Sequence, residues 1–138
     1  MTLHHVSIRT ADIFRSIAFY EKLDFQVECR FTTGMTLACW LKGSLGRIEL
    51  IQIPDPMPPP DAFGDPHYVG YYHLSWLVPS IATLLAKLDS PRILLPPCLQ
   101  QIGEDYYRVA FMADPDGLPI EIMEKIEAGS TPPIDSIS

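Results

Sequence analysis

Hydrophobic and polar positions fall into short alternating blocks, and the blocks come twice. Residues 4–9, H-H-V-S-I-R, alternate as a strand, and Asp12 then stands where a helix N-cap belongs. Ile13, Ile17 and Tyr20, joined by Phe14 and Ala18, form an apolar stripe at helical spacing to about Leu23. Three strand-like runs follow: F-Q-V-E-C-R-F, then M-T-L-A-C-W-L after Gly34, then R-I-E-L-I-Q-I after the turn residues Gly43 to Gly46. The stretch P-D-P-M-P-P-P-D-A-F-G-D-P cannot continue a central strand, because proline has no ladder donor, and it predicts an extended linker over 54–68.

The order then returns. Y-Y-H-L-S-W-L-V predicts a strand, and Ser80 caps a helix whose stripe is Ile81, Leu84, Leu85 and Leu88. R-I-L-L follows, interrupted by Pro96-Pro97, then Y-Y-R-V-A-F-M, the turn D-P-D-G and the strand L-P-I-E-I-M-E. Each half is βαβββ, so the expected fold class is α+β with two tandem modules, 3–53 and 69–126, in one domain spanning 1–126. Residues 127–138 have the composition of a flexible tail.

The two halves match in detail. His5-Val6-Ser7 corresponds to His73-Leu74-Ser75, and each histidine stands seven residues ahead of its helix cap, Asp12 or Ser80. Ile48-Glu49-Leu50-Ile51 corresponds likewise to Ile120-Glu121-Ile122-Met123. Strand alternation separates the adjacent histidines, putting His5 with Ser7 and Arg9 on one face and His4 with Val6 and Ile8 on the packing face. Taken singly, a strand histidine is structural and a strand glutamate is solvated. A carboxylate amid apolar neighbours needs water or a partner, since burying it unpaired is expensive. Two histidines and two glutamates at repeat-related sites point to a common partner, one divalent metal ion. Imidazole with carboxylate suits Ni, Zn, Co, Mn or Fe, and four protein ligands leave room for substrate on a five- or six-coordinate ion.

Composition narrows the partners. A net charge of −7 over 138 residues argues against nucleic acid and against anionic membranes, both of which call for clustered Lys and Arg. No apolar run reaches membrane-spanning length, and the start M-T-L-H-H does not resemble a signal sequence, so the expected location is cytoplasmic. Cys29, Cys39 and Cys98 form no C-x-x-C and are expected to be small, reduced core residues.

With L-H-H-V-S-I-R-T-A-D and R-S-I-A-F-Y-E-K-L, the I-E-L around Glu49, the H-L-S at 73–75 and F-M-A-D-P-D-G-L-P-I-E-I-M-E at the end, the chain resembles the vicinal oxygen chelate superfamily. That superfamily includes glyoxalase I, extradiol dioxygenases, methylmalonyl-CoA epimerase, and the fosfomycin and bleomycin resistance proteins. The resemblance spans about residues 3–126 and implies an incomplete, metal-centred barrel. By position it makes His5, Glu49, His73 and Glu121 the metal ligands, a set most similar to that of bacterial glyoxalase I. It implies a lactoylglutathione lyase-like enzyme that isomerises a 2-oxoaldehyde hemithioacetal through a metal-bound enediolate, with Glu121 or Glu49 as the base. Arg9 falls where glyoxalases place an arginine for the glutathione carboxylate. Tyr71 and Tyr107, with Tyr106, are candidates to line the substrate cavity or to sit in the core. The expected partners are a small-molecule substrate and a second copy in a homodimer.

Two departures stand out. Leu23-Asp24-Phe25 replaces the L-G-F common after the first helix. Glu49-Leu50-Ile51-Gln52-Ile53-Pro54 also lacks the asparagine with which glyoxalase I holds glutathione, which leaves a glutathione adduct open as the substrate. The alternatives are an Fe(II) extradiol-type ring-cleaving dioxygenase, which would need one glutamate off the metal, and a non-catalytic resistance or ligand-binding module.

Overall fold

The computed structural model describes residues 1–44 and 46–127. The chain forms two compact units, Met1–Pro59 and the part from Pro60 onward.

The first unit runs β1 (Val6–Thr10), α1 (Ile13–Glu21), β2 (Gln26–Thr33), β3 (Thr36–Lys42) and β4 (Arg47–Gln52). Its sheet order is β1-β4-β3-β2, with β1 parallel to β4 and the other pairs antiparallel. A parallel pair needs a long crossover, and α1 with the β2–β3 hairpin supplies it. The Asp12 side chain accepts from the Phe14 and Arg15 amides, so α1 starts at the expected cap. Its stripe of Ile13, Ile17 and Tyr20 is buried with Ile8, Cys39, Leu41, Ile48 and Leu50. The opposite sheet face, carrying Ser7, Trp40 and Glu49, stays partly open. Asp24 ends the helical segment at φ 66°, a left-handed position that glycine usually fills and that aspartate tolerates.

The second unit repeats the plan with β5 (Leu74–Leu77), α2 (Ile81–Lys87), β6 (Ile93–Ile102), β7 (Asp105–Ala113) and β8 (Pro119–Lys125), in the order β5-β8-β7-β6. Again the first strand pairs parallel to the last. Ser80 caps α2 by accepting from the Thr83 amide, and Ile81, Leu88, Val109, Met112, Ile120 and Ile122 are buried. The break expected at Pro96-Pro97 is instead a bulge within β6, where the register shifts between Leu95 and Cys98. A sheet-edge strand tolerates this, because missing donors on its outer side cost no ladder bond.

Gly34 (φ 60°) and Gly103 (φ 64°) open the two-residue turns of the β2–β3 and β6–β7 hairpins, a left-handed requirement met identically in both copies. Each module is thus βαβββ, as expected, and its four-stranded sheet is open, not closed into a barrel. The tail from 128 lies outside the described residues, and among the described residues no helix is long and apolar enough to cross a membrane.

Candidate functional site

In the first unit, strand register assembles a cluster around Glu49. Ser7 on β1 and Trp40 on β3 both stand opposite it, one on each side of β4. Ser7 Oγ donates to Glu49 Oε1 at 2.8 Å, and Trp40 Nε1–H donates to Oε2 at 2.9 Å. His5, two residues before Ser7 on the same face, brings Nε2 to 3.5 Å from Glu49 Oε1. The Trp40 donor holds the Glu49 carboxyl below the usual carboxylate range, with Ser7 and the nearby histidines adding to it and partial burial opposing.

The outer layer of this cluster is polar. His4 Nδ1 lies 2.8 Å from His5 Nδ1, and the His4 ring meets Trp40 edge-on at 4.9 Å. Arg47 donates to the His4 carbonyl at 3.0 Å, stacks over Trp40 at 5.6 Å and pairs with Glu28 at 2.8 Å, which holds the Glu28 carboxyl low.

The second unit builds the same inner arrangement. Ser75 and Phe111 flank Glu121 in register, Ser75 Oγ donates to Glu121 Oε1 at 2.6 Å, and His73 Nε2 lies 3.5 Å from that oxygen. The outer layer here is apolar. Phe111 occupies the register place of Trp40 and meets the His73 ring edge-on at 4.9 Å, and Tyr72 does so at 4.3 Å. Phe63, on a turn fixed by Asp61 accepting from the Phe63 and Gly64 amides, completes the aromatic group. His73 Nδ1 is buried with no hydrogen-bond partner among the described residues.

His5 with Glu49 and His73 with Glu121 are therefore brought together as two pairs, while no group of three candidate ligands forms among the described residues. Each pair fits two neighbouring ligands of one ion. Bonds of about 2.1 Å put adjacent ligand atoms about 3.0 Å apart on a six-coordinate ion and about 3.4 Å apart at wider ligand angles, and both pairs, at 3.5 Å, need to close by no more than about half an ångström to meet one ion. All four side chains keep 15 to 29% of their surface, enough to be reached.

The remaining expected residues lie elsewhere. Arg9 is exposed on β1, on the face shared with Ser7. Tyr71 is fully exposed ahead of β5, and Tyr107 is half-buried opposite Lys125, four residues along β7 from Phe111. His4, expected on the packing face, is exposed: just ahead of β1 its ring turns to Trp40 and the His5 ring instead of the core.

Sequence reasoning gave no role to Ser7, Ser75, Trp40 or Phe111, which only strand register places beside the glutamates. It also missed a further repeat match at Gln52 and Glu124, each three residues beyond its glutamate. Gln52 Oε1 accepts from the Ile13 amide at 3.0 Å and Glu124 Oε1 from the Ile81 amide at 2.7 Å, tying each helix start to its neighbouring strand. Gln52, close to the sought asparagine position, is thus engaged in capping α1.

The sequence model of the Glyoxalase/Bleomycin resistance protein/Dioxygenase superfamily matches residues 2–122. The chain is 34% identical over 131 residues to the uncharacterized protein YwkD of Bacillus subtilis, covering 90% of this chain and 97% of that one. It is 33% identical over 132 residues to the uncharacterized protein YaeR of Escherichia coli, covering 89% and 95%. Among solved structures, a glyoxalase family protein from Enterococcus faecalis aligns with a TM-score of 0.72 and 26% identity over 89% of this chain and 97% of that one. The trypanothione-dependent glyoxalase I of Leishmania major aligns with a TM-score of 0.67 and 23% identity over 90% and 86%, a likeness of fold. With nearly all of both modules inside the matched span, this chain belongs to the glyoxalase/bleomycin resistance protein/dioxygenase superfamily.

Proposed function

We propose that the protein is a divalent-metal-dependent lyase or isomerase of glyoxalase I type, acting on the hemithioacetal of a 2-oxoaldehyde and a thiol. The observation that carries this reading is the pair of matched half-sites, each with a histidine Nε2 and a glutamate Oε1 3.5 Å apart and a serine holding that oxygen. His5, Glu49, His73 and Glu121 would hold the ion, the two pairs coming from one chain or from two chains of a homodimer. When bound, the metal supplies Lewis-acid stabilisation of oxyanionic charge.

The chain's own residues do the rest. Glu121 Oε2 has no hydrogen-bond partner among the described residues and is the better placed oxygen to take a proton from substrate carbon and return it to the neighbouring carbon. Glu49 has both oxygens engaged and suits a lasting ligand. Arg9, exposed on the His5 face, suits an anionic group of the substrate, and Tyr71 and Tyr107 its less polar parts. With Gln52 committed to α1, recognition of the thiol rests on other residues than in glutathione-specific glyoxalases, so other thiol carriers are candidates beside glutathione. Members of the superfamily bind small-molecule ligands and commonly form dimers.

Purified without a histidine tag and loaded in turn with Zn, Ni, Co, Mn or Fe(II), the protein should convert methylglyoxal plus a thiol to the thioester. Cleavage of catechols under oxygen with Fe(II), without thioester formation, would replace this reading with the dioxygenase one. Metal uptake without turnover on either panel would leave a ligand-binding module.

A further inference from the structure

The two half-sites share an inner pair and differ in what surrounds it. His4 and Tyr72 occupy corresponding places, and so do Trp40 and Phe111. In the first module both outer residues hydrogen-bond to the inner pair, and in the second both present ring edges or faces with no such bond.

Ring chemistry makes the difference consequential. A histidine that ligates through Nε2 must carry its proton on Nδ1, and that N–H needs an acceptor. Two ring nitrogens 2.8 Å apart share one hydrogen, so His4 Nδ1 can accept the His5 Nδ1–H and leave His5 Nε2 bare toward Glu49. Trp40 meanwhile anchors the Glu49 oxygen that Ser7 does not hold, which fixes the carboxylate's rotation. Among the described residues His73 Nδ1 has no partner, and Glu121 is held by its Oε1 alone.

Resting on the metal-site reading above, we propose that His4 and Trp40 are positioning residues that make the first module's His5–Glu49 pair the preorganised, high-affinity half of the metal site. The His73–Glu121 pair is then the looser half. Ordering of ligands before binding raises affinity because less freedom is lost on binding, and partners outside the ligand set typically carry about 10- to 100-fold in metal affinity.

The test uses the full chain and Co(II) or Zn(II) in competition with a chromophoric chelator. His73→Ala/Glu121→Ala leaves the first pair, and His5→Ala/Glu49→Ala leaves the second. The first variant should bind about tenfold or more tightly than the second. Adding His4→Phe or Trp40→Phe should weaken binding by about tenfold where the first pair remains and change nothing where only the second does. His4→Gln, which keeps an acceptor, should restore most of the loss. Equal affinities of the two halves, or equal losses in both backgrounds, would overturn the proposal. Nitrogen-15 NMR of the metal-free chain reads the same point without metal. His4→Phe should move the His5 tautomer away from Nδ1–H and leave His73 unchanged, and an indifferent His5 would refute the role of His4. If the wild-type chain takes up no metal, the metal reading fails, while the tautomer measurement still decides whether His4 orients His5.

Discussion

Trp40 and Phe111 stand opposite equivalent glutamates, and a single indole N–H separates them chemically. That donor stabilises the Glu49 carboxylate over its acid, so Trp40→Phe should raise the Glu49 carboxyl pKa, read by carbon-13 NMR titration. A carboxyl titrating lower in the folded than in the unfolded chain adds stability that is full above its ordinary value of 4.5 and is lost as pH falls through the folded value. Trp40→Phe should therefore cost about 1.5–3 kcal/mol at neutral pH for the bond to a charged group, and the gap to wild type should narrow in acid. A gap independent of pH would mean that only packing was lost. Cysteines test burial at the same scale. Cys29 is exposed, whereas Cys39 and Cys98 are buried and burial pushes the Cys39 thiol up, so one thiol should react promptly with a disulfide reagent and two only on unfolding. The expectation of three core cysteines fails at Cys29, because β2 has most of its residues exposed.

Element ends were the most legible feature, since a cap is a local chemical fact. Asp12 and Ser80 both cap where the pattern placed them, but Asp12 accepts two amides and Ser80 one. Asp12→Ala should cost about 1–2 kcal/mol in urea unfolding and Ser80→Ala about 0.5–1 kcal/mol. Leu23-Asp24-Phe25, a departure from L-G-F, puts aspartate at a left-handed position that glycine takes without strain. Asp24→Val, β-branched there, should cost about 1–2 kcal/mol, and Asp24→Gly should lose far less or gain. What was hidden needed partners distant in sequence. Pro96-Pro97 broke a pattern but not an edge strand, and Trp40 joined Glu49 only once the β3–β4 register was fixed.

At the scale of the whole chain, the repeat made the two histidine–glutamate pairs of the candidate site legible. His5 alone was ambiguous beside His4, and the second copy at His73 chose between them. The modules share a histidine–glutamate–serine plan and differ around it: His4 and Trp40 against Tyr72 and Phe111, Gln52 against Glu124. Divergence of that kind lies in single side chains that no repeat comparison weights, which is why the inner pairs were readable and their surroundings were not. If one ion joins the two pairs, each copy is necessary. The most direct measurement is metal content and affinity of the untagged wild-type chain beside His5→Ala and His73→Ala, by elemental analysis and competition titration. The account predicts one divalent ion per chain, with affinity falling in either variant by more than the about 10- to 100-fold that loss of an outer partner typically costs. No metal uptake by the wild type, or binding that survives both substitutions, would contradict it.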